Sequence, residues 1–323
     1  MKRIFLFLLT LAFMGSNIIA QSVIYEDDFE AYNTGEYLAV QSPEWTTWSN
    51  DPGSAEDAMI SEDQALSPVK SVKVEGATTD LVLPLGDKTA GVFEVAFSLY
   101  VDNGYGAYYN FQHFELVGTE WAIEVFFGSG GTGEIMTDNT PTPFTFTNGA
   151  WTDIVHMINL DEDEAEIWID GNLVHTWVWS TKADGGQGAN QLGALNVYAS
   201  ALGTDDPLFY LDDISYTQIF SALYEDDFEA YNAGEFVAEE IPEWFTTWSN
   251  LPGSAEDAPF TTDQAFSGTN SFEVAGTTDL ILKLGDKTAG FYEVTWMMYV
   301  PSGNVGYYNF QHFETPGTEW AVD

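Results

Sequence analysis

A short segment rich in aromatic and amide side chains is the best candidate for a ligand-binding surface. In residues 108–115 the sequence reads Tyr-Tyr-Asn-Phe-Gln-His-Phe-Glu. If this segment is a strand, its side chains alternate between two faces, and Tyr108, Asn110 and Gln112 share one face. An aromatic ring stacks on the apolar side of a sugar, and planar amides bond its hydroxyls. The alternative is structural: the rings fill a core and the amides satisfy strand edges.

Other candidates come from a later segment and from a repeat of the first one. Asn196 and Tyr198 alternate in the same way and could contribute from a neighbouring strand. Residues 110–115 recur as 309–314, so the equivalent positions are included. The predicted ligand-binding residues are Tyr108, Asn110, Gln112, Asn196, Tyr198, Tyr307, Asn309 and Gln311.

The repeat extends over a whole domain. Residues 25–33 return as 224–232 and residues 85–91 as 284–290, an offset of 199 apart from one inserted residue, Phe245. Solenoid and propeller repeats are much shorter, roughly 20–50 residues. The second copy ends at Asp323, which aligns with Glu124, and the sequence includes no counterpart of 125–217. We therefore expect a truncated chain whose second copy is half a domain; the alternative is a half-domain completed by a partner chain.

The local pattern predicts strands and almost no helix. Short apolar or alternating runs at 81–83, 93–101, 121–127, 154–160, 165–169 and 208–216 are separated by Gly, Asn, Asp and Pro. Asp170-Gly171 between apolar residues predicts a tight hairpin, whereas 128–133 and 183–188 are glycine-rich loops. The expected fold is an all-β jelly-roll sandwich, with one complete copy and a truncated second copy.

Predicted boundaries follow from the N-terminus and the repeat. Lys2, Arg3 and the short apolar run at 4–13 indicate a signal peptide, residues 1–20, so the protein is expected to be secreted or on the cell surface. The first sandwich then covers 21–217, a linker 218–222, and the second copy 223–323. No further segment is long and apolar enough to suggest membrane insertion.

Composition excludes several classes of partner. The chain has 51 acidic and 8 basic residues, a formal net charge of −43, which argues against nucleic acid and anionic membranes. With 15% aromatic and 45% hydrophobic residues, the acidic character belongs to a folded surface rather than to disorder. The absence of cysteine means that an exported domain must rely on a large core, a metal ion, or both.

Three features together resemble a known superfamily. The domain opens with Asp28-Phe29-Glu30 followed by tryptophans, contains the 151–172 pair of strands with its Asp-Gly turn, and closes with 211–214, Leu-Asp-Asp-Ile. This arrangement resembles laminin-G and MAM domains of the concanavalin A-like lectin and glucanase superfamily, in tandem, as found in exported proteins of the Bacteroidetes type. Unlike MAM domains, the chain has no cysteines, so the resemblance carries over only the sandwich and its acidic strand ends.

The resemblance implies a calcium site. In this fold the first and last strands are neighbours, which would bring together the acidic residues at the two ends of the domain. Carboxylates crowded in this way need raised pKa values or a cation, and calcium accepts irregular sets of oxygen ligands. The predicted structural calcium ligands are Asp27, Asp28, Glu30, Asp212 and Asp213, with Asp28 and Glu30 on one face of the first strand. The alternative is that Asp27 and Asp212 are solvated edge residues that deter sheet pairing.

Catalytic signatures are missing. Related jelly-roll glucanases carry two carboxylates on one strand with an aspartate between them, but the nearest matches, 120–124 and 166–170, have Ala122 and Trp168 in the middle place. The sequence also has no Gly-x-Ser-x-Gly element, and its four histidines lack zinc-binding spacing. We therefore predict an exported, non-catalytic recognition module for polysaccharide or glycoprotein. The alternatives are an adhesive spacer without a small-ligand site and the accessory arm of an enzyme.

Overall fold

The computed structural model describes residues 18–288 and 292–322. Of the predicted signal peptide, residues 1–17 lie outside the described part, and residues 18–20 belong to the first strand. The chain divides into two compact units, Met1–Ser221 and Ala222–Asp323, and each is described by itself.

The first unit consists of two antiparallel sheets. In chain order its elements are β1 (Ile18–Asp27), α1 (Leu38–Gln41), β2 (Thr46–Thr47), β3 (Met59–Ser61), β4 (Ser71–Glu75), β5 (Asp80–Lys88), β6 (Val92–Val101), β7 (Ala107–Gln112), β8 (Trp121–Phe127), β9 (Thr132–Thr137), β10 (Thr140–Thr145), β11 (Trp151–Asn159), β12 (Glu164–Ile169), β13 (Asn172–Val178), β14 (Leu192–Tyr198) and β15 (Leu208–Ser221). An eight-stranded sheet has the order β13-β12-β11-β6-β15-β4-β3, with β1 also on β15, and a seven-stranded sheet has the order β10-β9-β8-β7-β14-β5-β2. The predicted all-β jelly-roll sandwich is confirmed.

Alternation along the strands builds the core between the two sheets. In β7, Tyr109 and Phe111 point inward and are fully buried, and in β14, Leu195 and Val197 do the same. Successive residues of a strand point in opposite directions, so the residues on either side of an inward side chain face the other side of the sheet. The intervening residues of β7 and β14 therefore form the outer surface of the seven-stranded sheet.

The predicted Asp-Gly hairpin joins β12 and β13. Asp170 and Gly171 have φ values of 49° and 73°, the two consecutive positive values of a type I′ turn. This twist matches that of the flanking strands, and Asp and Gly tolerate positive φ. The prediction of this turn is confirmed.

The C-terminal strand of the first unit is longer than predicted. β15 continues to Ser221, and its residues 214–221 pair with β1. The predicted linker 218–222 was therefore wrong for 218–221, because Gln218 and Ile219 have strand partners in β1 and β6. A register shift interrupts β15 between Asp212 and Ser215, where Asp213 has a φ of 49°.

The second unit contains small, separate sheets among its described residues. Its elements are α2 (Val237–Glu240), β16 (Phe245–Thr247), β17 (Phe260–Thr261), β18 (Ser271–Phe272), β19 (Leu280–Leu282), β20 (Phe310–Gln311) and β21 (Trp320–Val322), with pairs β16-β19, β17-β18 and β20-β21. A compact cluster around Val237, Phe245 and Phe260 forms its buried core. In the described residues of both units, neither four-residue helix has the length or hydrophobicity of a membrane-spanning segment.

Candidate functional site

Four neighbouring strands of the seven-stranded sheet form the floor of a cavity on its outer surface. Asn110 of β7 lies directly opposite Asn196 of β14 on one side and Glu124 of β8 on the other. The next strand, β5, places Asp80 opposite Tyr198. The cavity has a volume of about 320 Å³ and is lined by Trp48, Asp80, Tyr108, Asn110, Trp121, Glu124, Phe126, Asn196, Tyr198 and Ser200.

This arrangement brings together four of the predicted ligand-binding residues. Tyr108, Asn110, Asn196 and Tyr198 all line the cavity. Tyr108 is 6% exposed and Asn110 only 1%, so both lie deep in the floor. All six residues of β7 are buried, because one face meets the core and the other lies beneath the cavity.

A continuous hydrogen-bond network crosses the floor. The Asn196 Nδ2 donates to Asp80 Oδ1 at 2.6 Å and to the Leu81 carbonyl at 2.8 Å. Asn110 Nδ2 donates to Asn196 Oδ1 at 2.7 Å and to the Tyr108 hydroxyl at 3.2 Å. The Tyr108 hydroxyl in turn donates to Glu124 Oε1 at 2.8 Å. The network fixes these side chains and ends in a carboxylate on each side.

Burial raises the pKa values of two groups in the floor. Burial raises the pKa of Asp80 to about 6; the Asn196 hydrogen bond opposes this, and the charge of Glu56 adds to it. The pKa of the Tyr108 hydroxyl is raised well above its ordinary value, first by burial and then by Glu124. At neutral pH the floor therefore carries negative charge at Asp80 and a neutral phenol at Tyr108.

Two tryptophans contribute a flat aromatic surface to the cavity. The Trp48 and Trp121 rings lie nearly parallel, with centroids 6.3 Å apart and 21° between their planes. A Cβ atom on Gly118 would lie 3.0 Å from the Trp48 ring, and Gly118 has a φ of +74°, so this glycine permits the close approach of its loop to Trp48. The pair gives the cavity a partly exposed apolar surface suited to stacking.

Gln112 has a different place from the predicted one. It is fully buried and does not line the cavity. Its Oε1 accepts a hydrogen bond from the Gly118 amide at 2.7 Å. The pairing of β7 with β8 shifts register between Phe111 and Gln112. Gln112 thus holds the loop that supports Trp48 instead of facing a ligand.

The predicted residues of the second unit are not gathered in a comparable cavity among the described residues. Tyr307 is 68% exposed, whereas its counterpart Tyr108 is 6% exposed. Asn309 Nδ2 donates to the Tyr307 hydroxyl at 3.3 Å, and Gln311 donates to Asn309 Oδ1 at 3.2 Å. The sequence of the second unit includes no counterpart of Asn196, the residue that fixes Asn110 in the first unit.

The acidic ends of the first unit do lie near one another, as the resemblance implied. Asp27 of β1 pairs with Ile214 of β15, next to Asp213. Burial raises the pKa of Asp213, and the charges of Asp28, Asp153 and Glu30 raise it further, against the Ser67 hydrogen bond. Negative charge is therefore concentrated around Asp213.

Several of these carboxylates already have protein donors. Asp27 accepts hydrogen bonds from the Tyr25 and Tyr32 hydroxyls, and Glu30 Oε1 from the Val69 and Lys70 amides. Asp212 accepts from three backbone amides, although burial still raises its pKa to about 7.

The predicted placement of Asp28 and Glu30 on one face of a strand was wrong. β1 ends at Asp27, and Phe29 has a φ of 55°, because Asp27 Oδ1 accepts the Phe29 amide in a tight turn. Among the residues described, no group of three or more His, Cys, Asp or Glu side chains could hold a metal ion. Calcium also accepts backbone carbonyls, so the calcium site stays a prediction.

Sequence reasoning missed several lining residues. Trp48, Asp80, Trp121, Glu124 and Phe126 belong to the cavity but were not predicted as ligand-binding residues. The available signal was alternation: Glu124 and Phe126 lie two residues apart on β8, as Tyr108 and Asn110 do on β7. The pairing register of the consecutive strands β7 and β8, in which Asn110 lies opposite Glu124, shows that these faces coincide.

No protein-family model matches the chain, and no curated protein matches its sequence. Among solved structures, the chain is similar to a sialidase at 10% identity and a TM-score of 0.43, over 62% of this chain and 19% of that one. It is also similar to the alginate lyase Aly36B at 12% identity and a TM-score of 0.40, over 62% and 97% of the two chains.

A third similar structure is the Caenorhabditis elegans galectin LEC-6, at 8% identity and a TM-score of 0.30, over 46% of this chain and 95% of that one. At such low identities and TM-scores, these likenesses concern the β-sandwich fold and carry no argument about function.

Proposed function

We propose that the first unit is a non-catalytic carbohydrate-recognition module of an exported protein, with its site in the cavity on the seven-stranded sheet. The observation that carries the proposal is the meeting of a tryptophan pair with fixed amide and hydroxyl groups in one cavity. Ligand pockets of this kind combine apolar surface with a few precisely placed polar groups. Polysaccharide is the proposed ligand class, with glycoprotein glycans as the finer alternative.

The polar groups of the cavity favour binding over catalysis. Asp80 and Glu124 lie on different strands, and each holds one end of the hydrogen-bond network. A raised pKa in a cleft is also a property of catalytic acids, so Asp80 makes hydrolysis the second candidate function. Incubation of a bound oligosaccharide with the protein separates the two: recognition predicts no new reducing ends, and their appearance would establish catalysis.

A glycan array tests the recognition proposal. Residues 21–323 are expected to bind one class of glycan, and the double variant Trp48→Ala/Trp121→Ala to lose at least about 30-fold in affinity, as for a central aromatic anchor. The matched control is Trp248→Ala/Trp320→Ala, which removes the equivalent pair in the second unit, 6.3 Å apart and tilted by 23°. Equal losses in both variants would contradict the assignment of the site to the cavity of the first unit, and a blank array with folded protein would favour an adhesive spacer.

A structural calcium ion at the acidic ends of the first unit is proposed separately. It is supported by the negative charge around Asp213 and by the register shift in β15 that breaks the strand there. Asp28 and Asp213 are the residues proposed to bind it, with backbone carbonyls completing the oxygen set.

A further inference from the structure

The floor of the cavity has a fixed direction of hydrogen bonding. Asn196 donates both Nδ2 hydrogens, one to Asp80 and one to the Leu81 carbonyl, so its Oδ1 must face Asn110. Asn110 is then forced to donate through its own Nδ2, and Tyr108 donates its hydroxyl hydrogen to Glu124. The donors of these three side chains are therefore directed within the protein.

What remains for a ligand on the floor is a set of acceptors. Asp80 and Glu124 each engage one oxygen in the network, and the second oxygen of each carboxylate is a further acceptor. The cavity is also lined by donors outside this network, the hydroxyls of Tyr198 and Ser200 and the indole N–H groups of Trp48 and Trp121.

The charge of the lining residues also favours a neutral ligand that donates hydrogen bonds. The cavity contains two carboxylates, and none of its ten lining residues is lysine, arginine or histidine. A ligand carboxylate or sulfate placed on this floor would face like charge and find no cation to pair with, at the low effective dielectric of a partly buried site. Sugar hydroxyls, in contrast, supply the donors that the floor lacks.

We propose that the cavity selects neutral, hydroxyl-rich glycans and rejects glycans that carry carboxylate or sulfate groups. The inference rests on the proposed function and defines the substrate class of the same site. Asp80 and Glu124 are its specificity-determining residues, because they accept the ligand hydroxyls and repel its anions.

The test compares matched ligands on one backbone. Cello-oligosaccharides and β-1,4-linked oligoglucuronates differ only in the group at C6, and an array of neutral polysaccharides with their carboxymethylated and sulfated derivatives extends the comparison. Wild-type residues 21–323 are expected to bind neutral members at least about tenfold more tightly than their anionic partners. The preference should persist at about 0.5 M salt, where distant surface charge is screened.

Two variants separate the site from the overall charge of the protein. Asp80→Asn/Glu124→Gln keeps the shapes of both side chains and should reduce the neutral-over-anionic preference at least fivefold. The control Glu26→Gln/Asp63→Asn changes net charge equally at exposed positions in or beside the eight-stranded sheet and should leave the preference unchanged. Melting curves check the fold, and Glu124→Gln alone provides a milder second variant.

The outcomes distinguish this inference from the proposed function. Equal or tighter binding of anionic glycans by the wild type would overturn the selectivity and leave carbohydrate recognition standing. A preference that survives in Asp80→Asn/Glu124→Gln, or falls equally in the control, would overturn the roles of these two residues. A folded protein that binds no glycan in either series would overturn both.

Discussion

The tryptophan pairs of the two units have nearly the same geometry, but the strands beside them do not. Trp48 and Trp121 lie 6.3 Å apart, and so do Trp248 and Trp320. The supporting turn is also shared, since the Gly118 amide bonds Gln112 at 2.7 Å and the Gly317 amide bonds Gln311 at 2.6 Å. Tyr108, however, is 6% exposed, whereas Tyr307 is 68% exposed.

This difference in burial shows which features of the site depend on short motifs and which depend on the pairing of distant strands. The turns and the stacked rings involve partners close in the chain or motifs that both copies contain. The cavity floor needs Asn196, which lies 86 residues from Asn110 and which has no counterpart in the sequence of the second unit. The matching segments of the two units therefore have equal local motifs, and among the described residues the network that joins Asp80, Asn196, Asn110, Tyr108 and Glu124 lies in the first unit.

The largest contrast is expected in the core beneath the site. Phe111→Ala removes a fully buried ring from the first core and should cost about 3–5 kcal/mol of unfolding free energy, because the cavity is only partly refilled. Phe310→Ala changes the equivalent, partly exposed ring and should cost less than about 1 kcal/mol. Urea unfolding of both variants measures the difference, and equal costs would mean that the second unit has a core of the same kind.

The hydrogen-bond network predicts a second contrast. Asn110→Ala leaves Asn196 Oδ1 buried without its donor and should cost about 1–3 kcal/mol. Asn309→Ala, its counterpart, should cost less than about 0.5 kcal/mol, because Asn309 bonds the exposed Tyr307 and the partly exposed Gln311. Urea unfolding compares the two variants. An unchanged free energy of unfolding in Asn110→Ala would mean that the network does not stabilise the fold.

Calcium should stabilise the first unit, in which Asp28 lies near Asp213. In residues 21–323, saturating calcium is expected to raise the midpoint of the first unit by several degrees relative to chelator, since a ligand bound only to the folded state stabilises it. Asp213→Asn should abolish the shift, whereas Asp227→Asn, at the counterpart of Asp28 in the second unit, should preserve it. A thermal unfolding midpoint of the wild type that is the same with calcium and with chelator would contradict the proposed calcium site.

A smaller effect concerns pH. Because burial raises the pKa of Asp80 to about 6, this group is ionised at pH 7.5 and mostly protonated at pH 5. Protonation removes an acceptor, so affinity for a neutral glycan should fall about two- to threefold between these values. Asp80→Asn should remove this pH dependence of affinity, whereas the control Asp279→Asn, at the counterpart of Asp80 in the second unit, should preserve it. A profile that persists in Asp80→Asn would assign the titration to another group.

Linkage gives the sign of the effect of Asp80 on stability. Its native pKa lies above the unfolded value of about 3.9, so the native state binds a proton that the unfolded state lacks between about pH 6 and pH 4. The Asp80 contribution to stability therefore increases as the pH falls through 6. Asp80→Asn should remove this part of the pH dependence of unfolding.

Sequence alone predicted much of the fold and four of the ten residues that line the cavity. Period-two alternation and the Asp170-Gly171 turn were sufficient for the sandwich, because they act within a few residues. Gln112 lies on the same face of β7 as Asn110, but the sequence did not show that the loop containing Gly118 covers it. Asp80 was missed because nothing near it in the chain indicates that β5 pairs with β14, and Glu124 because alternation alone does not give the register between β7 and β8. Such pairing is decided by the packing of the whole sheet.

The most direct test of the central claim is a crystal structure of residues 21–323 with the neutral oligosaccharide that binds best on the array. The account predicts a sugar ring against the Trp48 and Trp121 pair, with hydroxyls within about 3.2 Å of the carboxylates of Asp80 and Glu124. It also predicts no equivalent sugar at Trp248 and Trp320. A sugar bound to the eight-stranded sheet, or equally at both tryptophan pairs, would contradict the account.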